Sequence, residues 1–205
     1  MTRNVSIYIC DEIEVLDLGG PFEVFSTAAR MKSRLQSGAE KPFEVFTIAD
    51  ATRPIRARGG LMLQPNFDIA HHPAIEIFIV PGGVVAAELN RNPIIEWIAE
   101  TAAKSSLTAS VCTGAFLLGK AGLLGGKTIT THWEDIEDFR AMFPDIQVQG
   151  EKRWVDGGTI VTSAGISAGL DMSLHLVARL ESAELAVRTA RQMDYDWQRP
   201  ALKVA

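Results

Sequence analysis

Residues 107–124 read LTASVCTGAFLLGKAGLL and join two kinds of pattern at a single cysteine. Leu107–Val111 is a short apolar run, which predicts a buried β-strand. Thr113–Leu124 has apolar residues at helical spacing and is followed by two glycines, which predicts a helix that ends there. A buried strand that leads directly into a helix is typical of parallel α/β sheets. Cys112 lies at the bend between them, and its role decides whether the chain is an enzyme.

The same alternation of strands and helices extends along the chain in both directions. The predicted strands are Val5–Cys10, Phe43–Ile48, Ile75–Val80 and Leu107–Val111, with hairpins over Ile55–Leu63 and Trp154–Ser163. The first predicted helix begins at Pro21, and Asp11–Gly20 before it is predicted to be a loop. The other predicted helices cover residues 92–104, 113–124, 134–142, 167–181 and 183–194. Buried-type strands that alternate with helices favour an α/β fold, a three-layer sandwich with a mostly parallel central sheet. One domain is expected over residues 1–205.

Composition and charge argue against several classes of protein. The chain has 205 residues, of which 47% are hydrophobic and 22% charged, and its net charge is −5. Because it has no run of lysine or arginine to hold phosphate backbones, no nucleic-acid partner is expected. No apolar stretch approaches the roughly 20 residues of a membrane span, and the first residues do not resemble a signal peptide. No membrane partner is therefore expected, and Cys10 and Cys112 are expected to be free thiols in the cytoplasm.

Three segments that follow predicted strands carry residues with chemical uses. Asp17 lies in LDLGGP after the first strand, Gly82 and Gly83 follow the IEIFIV strand, and Cys112 follows LTASV. Because ligands of open parallel sheets bind beyond the carboxyl ends of the strands, these segments are expected to meet in one crevice. Backbone N–H groups and the helix dipole would favour the Cys112 thiolate, the form that acts as a nucleophile. The glycine N–H groups would hold a developing negative charge, and Asp17, desolvated and protonated, would exchange a proton with sulfur or substrate.

Each of these residues also has a structural interpretation. Buried cysteines usually pack as small hydrophobic residues, which is the preferred interpretation for Cys10 and an open alternative for Cys112. Asp17 alone could cap a helix or a turn, and Pro-Gly-Gly is most often a turn. His132 could reach the crevice from a loop that enters a helix, although a hydrogen-bonded structural role is the simpler interpretation. The adjacent histidines His71 and His72 have no companion ligands, so no metal site is expected.

Four motifs together resemble the ThiJ/PfpI superfamily, whose fold is related to class I glutamine amidotransferases. They are LDLGGPFEVF (16–25), FIVPGG (78–83), SVCTGAFLLGKAGLLGGKTITTHW (110–133) and VTSAGISAGLDMSLHLV (161–177). Asp17 in the LDLGGP segment and Thr113 directly after the cysteine make the chain similar to isocyanide hydratases. The four motifs also resemble the amidotransferase-like domains of some AraC-type transcription regulators. The resemblance implies a flavodoxin-like fold. The peptidase and glyoxalase branches place a histidine directly after the cysteine, where this chain has Thr113, so a Cys-His pair built in that way is missing.

The hydratase resemblance implies a specific chemistry. The Cys112 thiolate would attack the terminal carbon of a small-molecule isocyanide, and Asp17 would deliver a proton and help to place water, so that an N-substituted formamide is released. Thr113 would support the sulfur. The pocket would be bordered by Gly82, Gly83, Gly165 and Ile166. The resemblance implies no metal or organic cofactor and a homodimer in the cytoplasm. The alternative is a non-enzymatic protein that senses small molecules or oxidants, related to the regulator domains, with Cys112 as the group that oxidises.

Overall fold

The computed structural model describes residues 1–36, 38 and 40–198, so the end of the domain expected over 1–205 lies outside the described residues. The strands are β1 (Arg3–Tyr8), β2 (Phe43–Ala49), β3 (Ile55–Arg56), β4 (Met62–Leu63), β5 (Phe67–Asp68), β6 (Ile77–Val80), β7 (Leu107–Val111), β8 (Thr128–Ile129), β9 (Gln147–Val148), β10 (Trp154–Asp156) and β11 (Ile160–Ser163). The helices are α1 (Val15–Leu35), α2 (Asn92–Lys104), α3 (Gly114–Lys120), α4 (Ile136–Met142), α5 (Ala168–Leu180) and α6 (Ala183–Gln192). Short 3-10 turns cover Glu88–Asn90 and Trp133–Asp135.

Seven strands form the central sheet, in the order β10-β11-β7-β6-β1-β2-β5. All neighbouring pairs in it are parallel except β10 with β11, which form the predicted hairpin. Parallel neighbours need crossover connections, and α1 links β1 to β2 while α2 links β6 to β7. The predicted α/β fold with a mostly parallel central sheet is therefore confirmed.

Side chains of the sheet pack into two hydrophobic clusters, one on each face. Alternate residues of β1 divide between them: Val5 and Ile7 pack with residues of α1, α5 and α6, whereas Tyr8 packs with residues of α2, α3 and α4. Such alternation follows from the period of two in a strand, and burying each large apolar side chain stabilises the fold by roughly 1.5–3 kcal/mol. The result is the three-layer sandwich. Within the described ranges, no helix has the length and apolar character needed to cross a membrane.

Helix α1 begins earlier than the sequence pattern suggested. The prediction of a loop over Asp11–Gly20 is wrong in its second half, because Val15 starts the helix and Pro21 lies inside it. The sequence pattern predicts Pro21 in the first turn, but Leu18 already continues the apolar spacing and is buried. The consequence for chemistry is that Asp17 sits in the first turn of a helix, where the helix dipole favours negative charge.

The ends of three strands bring distant parts of the sequence to one edge of the sheet. In the strand register Val80 of β6 pairs with Ser110 of β7, and Val111 pairs with Ser163 of β11. The residues that follow these strands therefore emerge side by side. The start of α1 is tied to the same edge, because the backbone N–H of Glu14 donates to the carbonyl of Gly82 at 2.9 Å.

Candidate active site

Cys112 occupies a sharp turn between β7 and α3, of the kind called a nucleophile elbow. Its φ angle is 57°, in the left-handed region that a residue with a side chain rarely adopts. Such a conformation costs of order 1–3 kcal/mol and persists where neighbouring groups hold it. Here the N–H of Cys112 donates to the carbonyl of Ser163 at 3.1 Å, and the Thr131 hydroxyl donates to the carbonyl of Cys112 at 2.9 Å. The turn lifts the thiol out of the line of the strand at the sheet edge.

Asp17 is completely buried and contacts Cys112. Its Oδ1 accepts the N–H of Ile166 at 3.1 Å and its Oδ2 accepts the N–H of Gly82 at 3.2 Å, while its carboxylate also hydrogen-bonds to the Cys112 thiol. The first turn of α1, the Pro-Gly-Gly segment and the segment after β11 thus all converge on one carboxylate. The structure brings together the acid and the thiol that the sequence placed on separate segments.

Burial raises the pKa of both members of this pair. Burial raises the pKa of Asp17 from 3.8 to about 6, although hydrogen bonds from Cys112, Ile166 and Gly82 oppose the rise. Burial, followed by the negative charge of Asp17, raises the pKa of Cys112 from 9.0 to about 12, and the N–H of Thr113 opposes this rise. Burial and the negative charge of Asp17 thus disfavour the expected Cys112 thiolate, whereas burial favours the expected protonated form of Asp17. The expectation of a resting thiolate beside a protonated acid stays a prediction.

The glycines after β6 have uses other than the one expected from the sequence. The N–H of Gly82 is donated to Asp17, and the N–H of Gly83 is donated to the Thr113 hydroxyl at 2.9 Å. That hydroxyl donates in turn to the carbonyl of Gly83 at 2.8 Å. Both glycine N–H groups are engaged in this structure, and the expectation that they hold a developing negative charge stays a prediction. Here they fix Asp17 and Thr113.

Gly82 cannot carry a side chain without disturbing this arrangement. A Cβ atom there would lie 2.5 Å from the Thr113 hydroxyl oxygen and 3.0 Å from Oδ2 of Asp17. Contacts as short as these are closer than the atoms of a packed interior can approach without moving. The close approach of backbone to both polar side chains therefore requires glycine at this position.

A cavity of about 720 Å³ opens over the thiol. Cys112, Thr113, Gly83, Ile166 and His132 line it, and Cys112 is 7% exposed. Its remaining walls are largely apolar, built from Val84, Val85, Leu89, Phe116, Ala141 and Met142. Its charged lining groups are Glu14, Glu134, Asp135, Asp138 and Arg58. A site of this size that is mostly apolar, with a few convergent polar groups, suits a small molecule with hydrocarbon parts.

The segment after β11 forms another wall of the site. Ile166 has a φ angle of 52°, which is unusual for a β-branched residue, and its N–H is the donor to Asp17. The ring of His132 packs directly against Gly165 and leaves no room for a Cβ atom there. His132 also lines the cavity, and its Nδ1 lies 3.1 Å from Oδ2 of Asp135. All the residues that the sequence proposed for the site therefore lie around Cys112.

Two contributors were not identified from the sequence. The Thr131 hydroxyl donates a hydrogen bond to the carbonyl of Cys112, and Oδ2 of Asp135 is hydrogen-bonded to Nδ1 of His132. Both lie close to the THW segment, and the spacing of three residues between His132 and Asp135 in a predicted helix start was a usable signal. Cys10 is buried at the end of β1, where burial raises its pKa, and both cysteines are free thiols. Among the described residues, no group of three or more His, Cys, Asp or Glu side chains is arranged to bind a metal ion.

Comparisons with known proteins agree with this architecture. The chain is 28% identical over 197 residues to the isonitrile hydratase of Pseudomonas putida. The aligned region covers 95% of this chain and 79% of the hydratase. It is 25% identical over 194 residues to the HTH-type transcriptional regulator GbdR of Pseudomonas aeruginosa, where it spans 95% of this chain but only 51% of the regulator. A crystal structure of a ThiJ/PfpI family protein from Pseudomonas syringae superposes with a TM-score of 0.83 at 25% identity, covering 100% of this chain and 80% of the other. Residues 3–179 match the DJ-1/PfpI family. Fold, motif order and this match over most of the sequence lead to one conclusion: the chain belongs to the DJ-1/PfpI family.

Proposed function

We propose that this protein is a cofactor-free, cysteine-dependent enzyme that hydrates an isocyanide to an N-substituted formamide. The observation that carries the proposal is the contact between the completely buried Asp17 carboxylate and the Cys112 thiol at the base of a largely apolar cavity. The 28% identity to an isonitrile hydratase supports the same reaction class. A thiol with a neighbouring base is the arrangement needed for nucleophilic catalysis.

The first step uses the thiol–carboxylate pair as it stands. Asp17 takes the thiol proton while sulfur forms a bond to the terminal carbon of R–N≡C, so that no free thiolate has to exist beforehand. One π pair of the N≡C bond moves onto nitrogen, and the lone pair that the terminal carbon already carries takes the proton back from Asp17. The product is a thioimidate, R–N=CH–S, on Cys112. Addition of water to its carbon and loss of the sulfur give R–NH–CHO and restore the thiol.

The cavity limits the group R. Its apolar walls favour a hydrocarbon substituent, because burying such a group is worth roughly 25 cal/mol per Å². The acidic groups Glu134 and Asp138 line the cavity, and they disfavour a substituent with negative charge. We therefore expect neutral alkyl or aryl isocyanides as substrates.

A turnover assay tests the proposal. Purified protein is mixed with an aryl isocyanide, and the absorbance of the formamide product is followed. Wild-type protein is expected to turn over, Cys112→Ala to lose turnover, and Cys10→Ala, a matched variant of the other buried thiol, to retain it. No turnover by a folded wild-type protein, or turnover that survives in Cys112→Ala, would overturn the proposed reaction.

A second candidate is ligand sensing without turnover, which the similarity to GbdR favours over 95% of this chain. The same cavity would bind a small molecule, and Cys112 would act as a polar contact or as an oxidisable group. Burial that raises the Cys112 pKa to about 12 leaves little thiolate to react with oxidants, so ligand binding is the stronger form of this alternative. Intact mass after mild peroxide tests the redox form: selective gain of oxygen at Cys112 would support it, and an unmodified chain would exclude it.

A further inference from the structure

We propose that His132 is the base that activates water in the second half of the reaction, a role distinct from that of Asp17. This inference rests on the proposed function. It assigns to different residues the two proton transfers that hydration of an isocyanide requires: one to the substrate carbon, and one from the attacking water.

The hydrogen bonding of His132 fixes which ring nitrogen can act as the base. Nδ1 lies 3.1 Å from Oδ2 of Asp135 and 3.9 Å from Oε2 of Glu134. A carboxylate can only accept, so Nδ1 carries the proton and the lone pair of the neutral imidazole is on Nε2. This is the arrangement in which an acidic group orients a histidine for general-base catalysis.

Nε2 is the atom left for chemistry. It has no hydrogen-bond partner among residues 1–36, 38 and 40–198, whereas Nδ1 is held. The ring is mostly buried, with its side chain 15% exposed, and it lines the cavity that contains Cys112. Its Cδ2–Nε2 edge lies against Gly165, next to the residue whose N–H binds Asp17. The glycine therefore fixes the position of the ring from one side and Asp135 from the other.

Asp17 is poorly placed for the same task. It is completely buried, it does not line the cavity, and both of its oxygens accept backbone N–H groups in addition to contacting the thiol. It can exchange a proton with the sulfur and with the carbon bonded to that sulfur. His132, in contrast, lines the cavity from which a water molecule would reach the thioimidate.

The proposed step balances as follows. Water oxygen forms a bond to the thioimidate carbon, Nε2 of His132 takes one water proton, and the C=N electron pair moves to nitrogen. The imidazolium then gives that proton to the nitrogen, which leaves R–NH–CH(OH)–S on Cys112. When the carbon–sulfur bond breaks, its electron pair stays on sulfur, the O–H proton is transferred to sulfur, and R–NH–CHO is released. No redox partner or cofactor takes part.

The test separates formation of the adduct from its hydrolysis. His132→Ala is mixed with an aryl isocyanide, and intact mass follows Cys112 while formamide absorbance follows product. The variant is expected to gain the mass of one isocyanide on Cys112 and to release formamide roughly 100-fold more slowly than wild type, with partial recovery on addition of imidazole. Asp135→Asn is the second variant; it keeps the imidazole but loses its orienting carboxylate, and it is expected to show a smaller accumulation of the same adduct.

The outcomes distinguish this inference from the proposed function. Wild-type turnover together with unchanged turnover in folded His132→Ala would overturn the role of His132 and leave the hydratase proposal standing. Loss of both adduct and product in folded His132→Ala would also overturn it, because His132 would then act before water does. If wild-type protein forms neither adduct nor product, the proposed function fails and this inference fails with it.

Discussion

Replacing Asp17 with asparagine tests the central feature of the site, a titratable carboxyl group buried beside a thiol. Asparagine has nearly the same shape and retains one oxygen, but it carries no charge at any pH. Its NH₂ group would face one of the two N–H donors that Asp17 now accepts, from Gly82 and Ile166. That mismatch costs about 1–3 kcal/mol and does not depend on pH. The pH dependence therefore isolates the ionisation of Asp17.

The magnitude follows from the pKa of Asp17, which burial raises from 3.8 to about 6. This rise corresponds to about 3 kcal/mol. Because the folded state binds the proton more tightly, this contribution to stability is fully present below pH 3.8 and is lost as the pH rises to about 6. The unfolding free energy of wild type minus that of Asp17→Asn is expected to fall by about 2 kcal/mol between about pH 4 and about pH 7. Asparagine cannot titrate, so the variant itself contributes no such slope.

Two measurements check this reasoning. Urea unfolding of both proteins across the pH range gives the difference in stability, and ultraviolet absorbance of the thiolate gives the pKa of Cys112. The negative charge of Asp17 helps to raise that pKa, so Asp17→Asn should lower it below about 12 and yet abolish turnover, because the base is gone. The same ultraviolet titration of Cys112→Ala gives the thiolate absorbance of Cys10, which is then subtracted. A flat stability difference would show that burial does not raise the pKa of Asp17. A Cys112 pKa that rises in the variant would show that the negative charge of Asp17 does not act on the thiol.

Three further outcomes are expected. Gly82→Ala should lose roughly 1–3 kcal/mol of stability in urea unfolding and most of the turnover, because its Cβ would lie 2.5 Å from the Thr113 hydroxyl oxygen; wild-type stability in this variant would contradict the packing argument. Thr113→Val should lose about 1–3 kcal/mol by stranding the N–H and the carbonyl of Gly83, whereas Thr113→Ser should keep both hydrogen bonds and most of the stability. An isocyanide with a carboxylate substituent should be hydrated about 3- to 10-fold more slowly than a neutral one of equal size at low salt, and Asp138→Asn or added salt should narrow this gap; an unchanged ratio would exclude repulsion at the cavity wall.

The fold was predictable because periodicity and punctuation agree along most of this chain. LTASV, IEIFIV and VSIYIC consist mostly of apolar, small or β-branched residues and contain a single charge, Glu76, as suits strands buried between two helix layers. The start of α1 was not predictable in the same way, because Pro21 gave a stronger boundary signal than the apolar spacing around Leu18. Tertiary packing decided that boundary, and burial of Leu18 favours the longer helix.

The composition of the site was predictable from the order of its motifs, but its protonation was not. Residue types and strand ends indicated Asp17 and Cys112 as neighbours. Whether the helix terminus or the buried carboxylate determines the charge on sulfur depends on desolvation, which only coordinates reveal. The same limit applies to Gly82 and Gly83, whose N–H groups were available by sequence and are occupied in the structure.

The occupied N–H groups bear on which reaction suits this site. Acyl transfer places a full negative charge on oxygen and needs free donors aimed at that atom. Attack on an isocyanide places the charge on carbon, and a proton neutralises it there. A thiol–carboxylate pair supplies both the nucleophile and that proton from the same hydrogen bond, and it ends the step with Asp17 ionised again in the hydrogen bonds from Gly82 and Ile166. Using glycine N–H groups to hold the acid is thus consistent with a reaction that protonates carbon, and it argues against one that builds an oxyanion over Gly82 and Gly83.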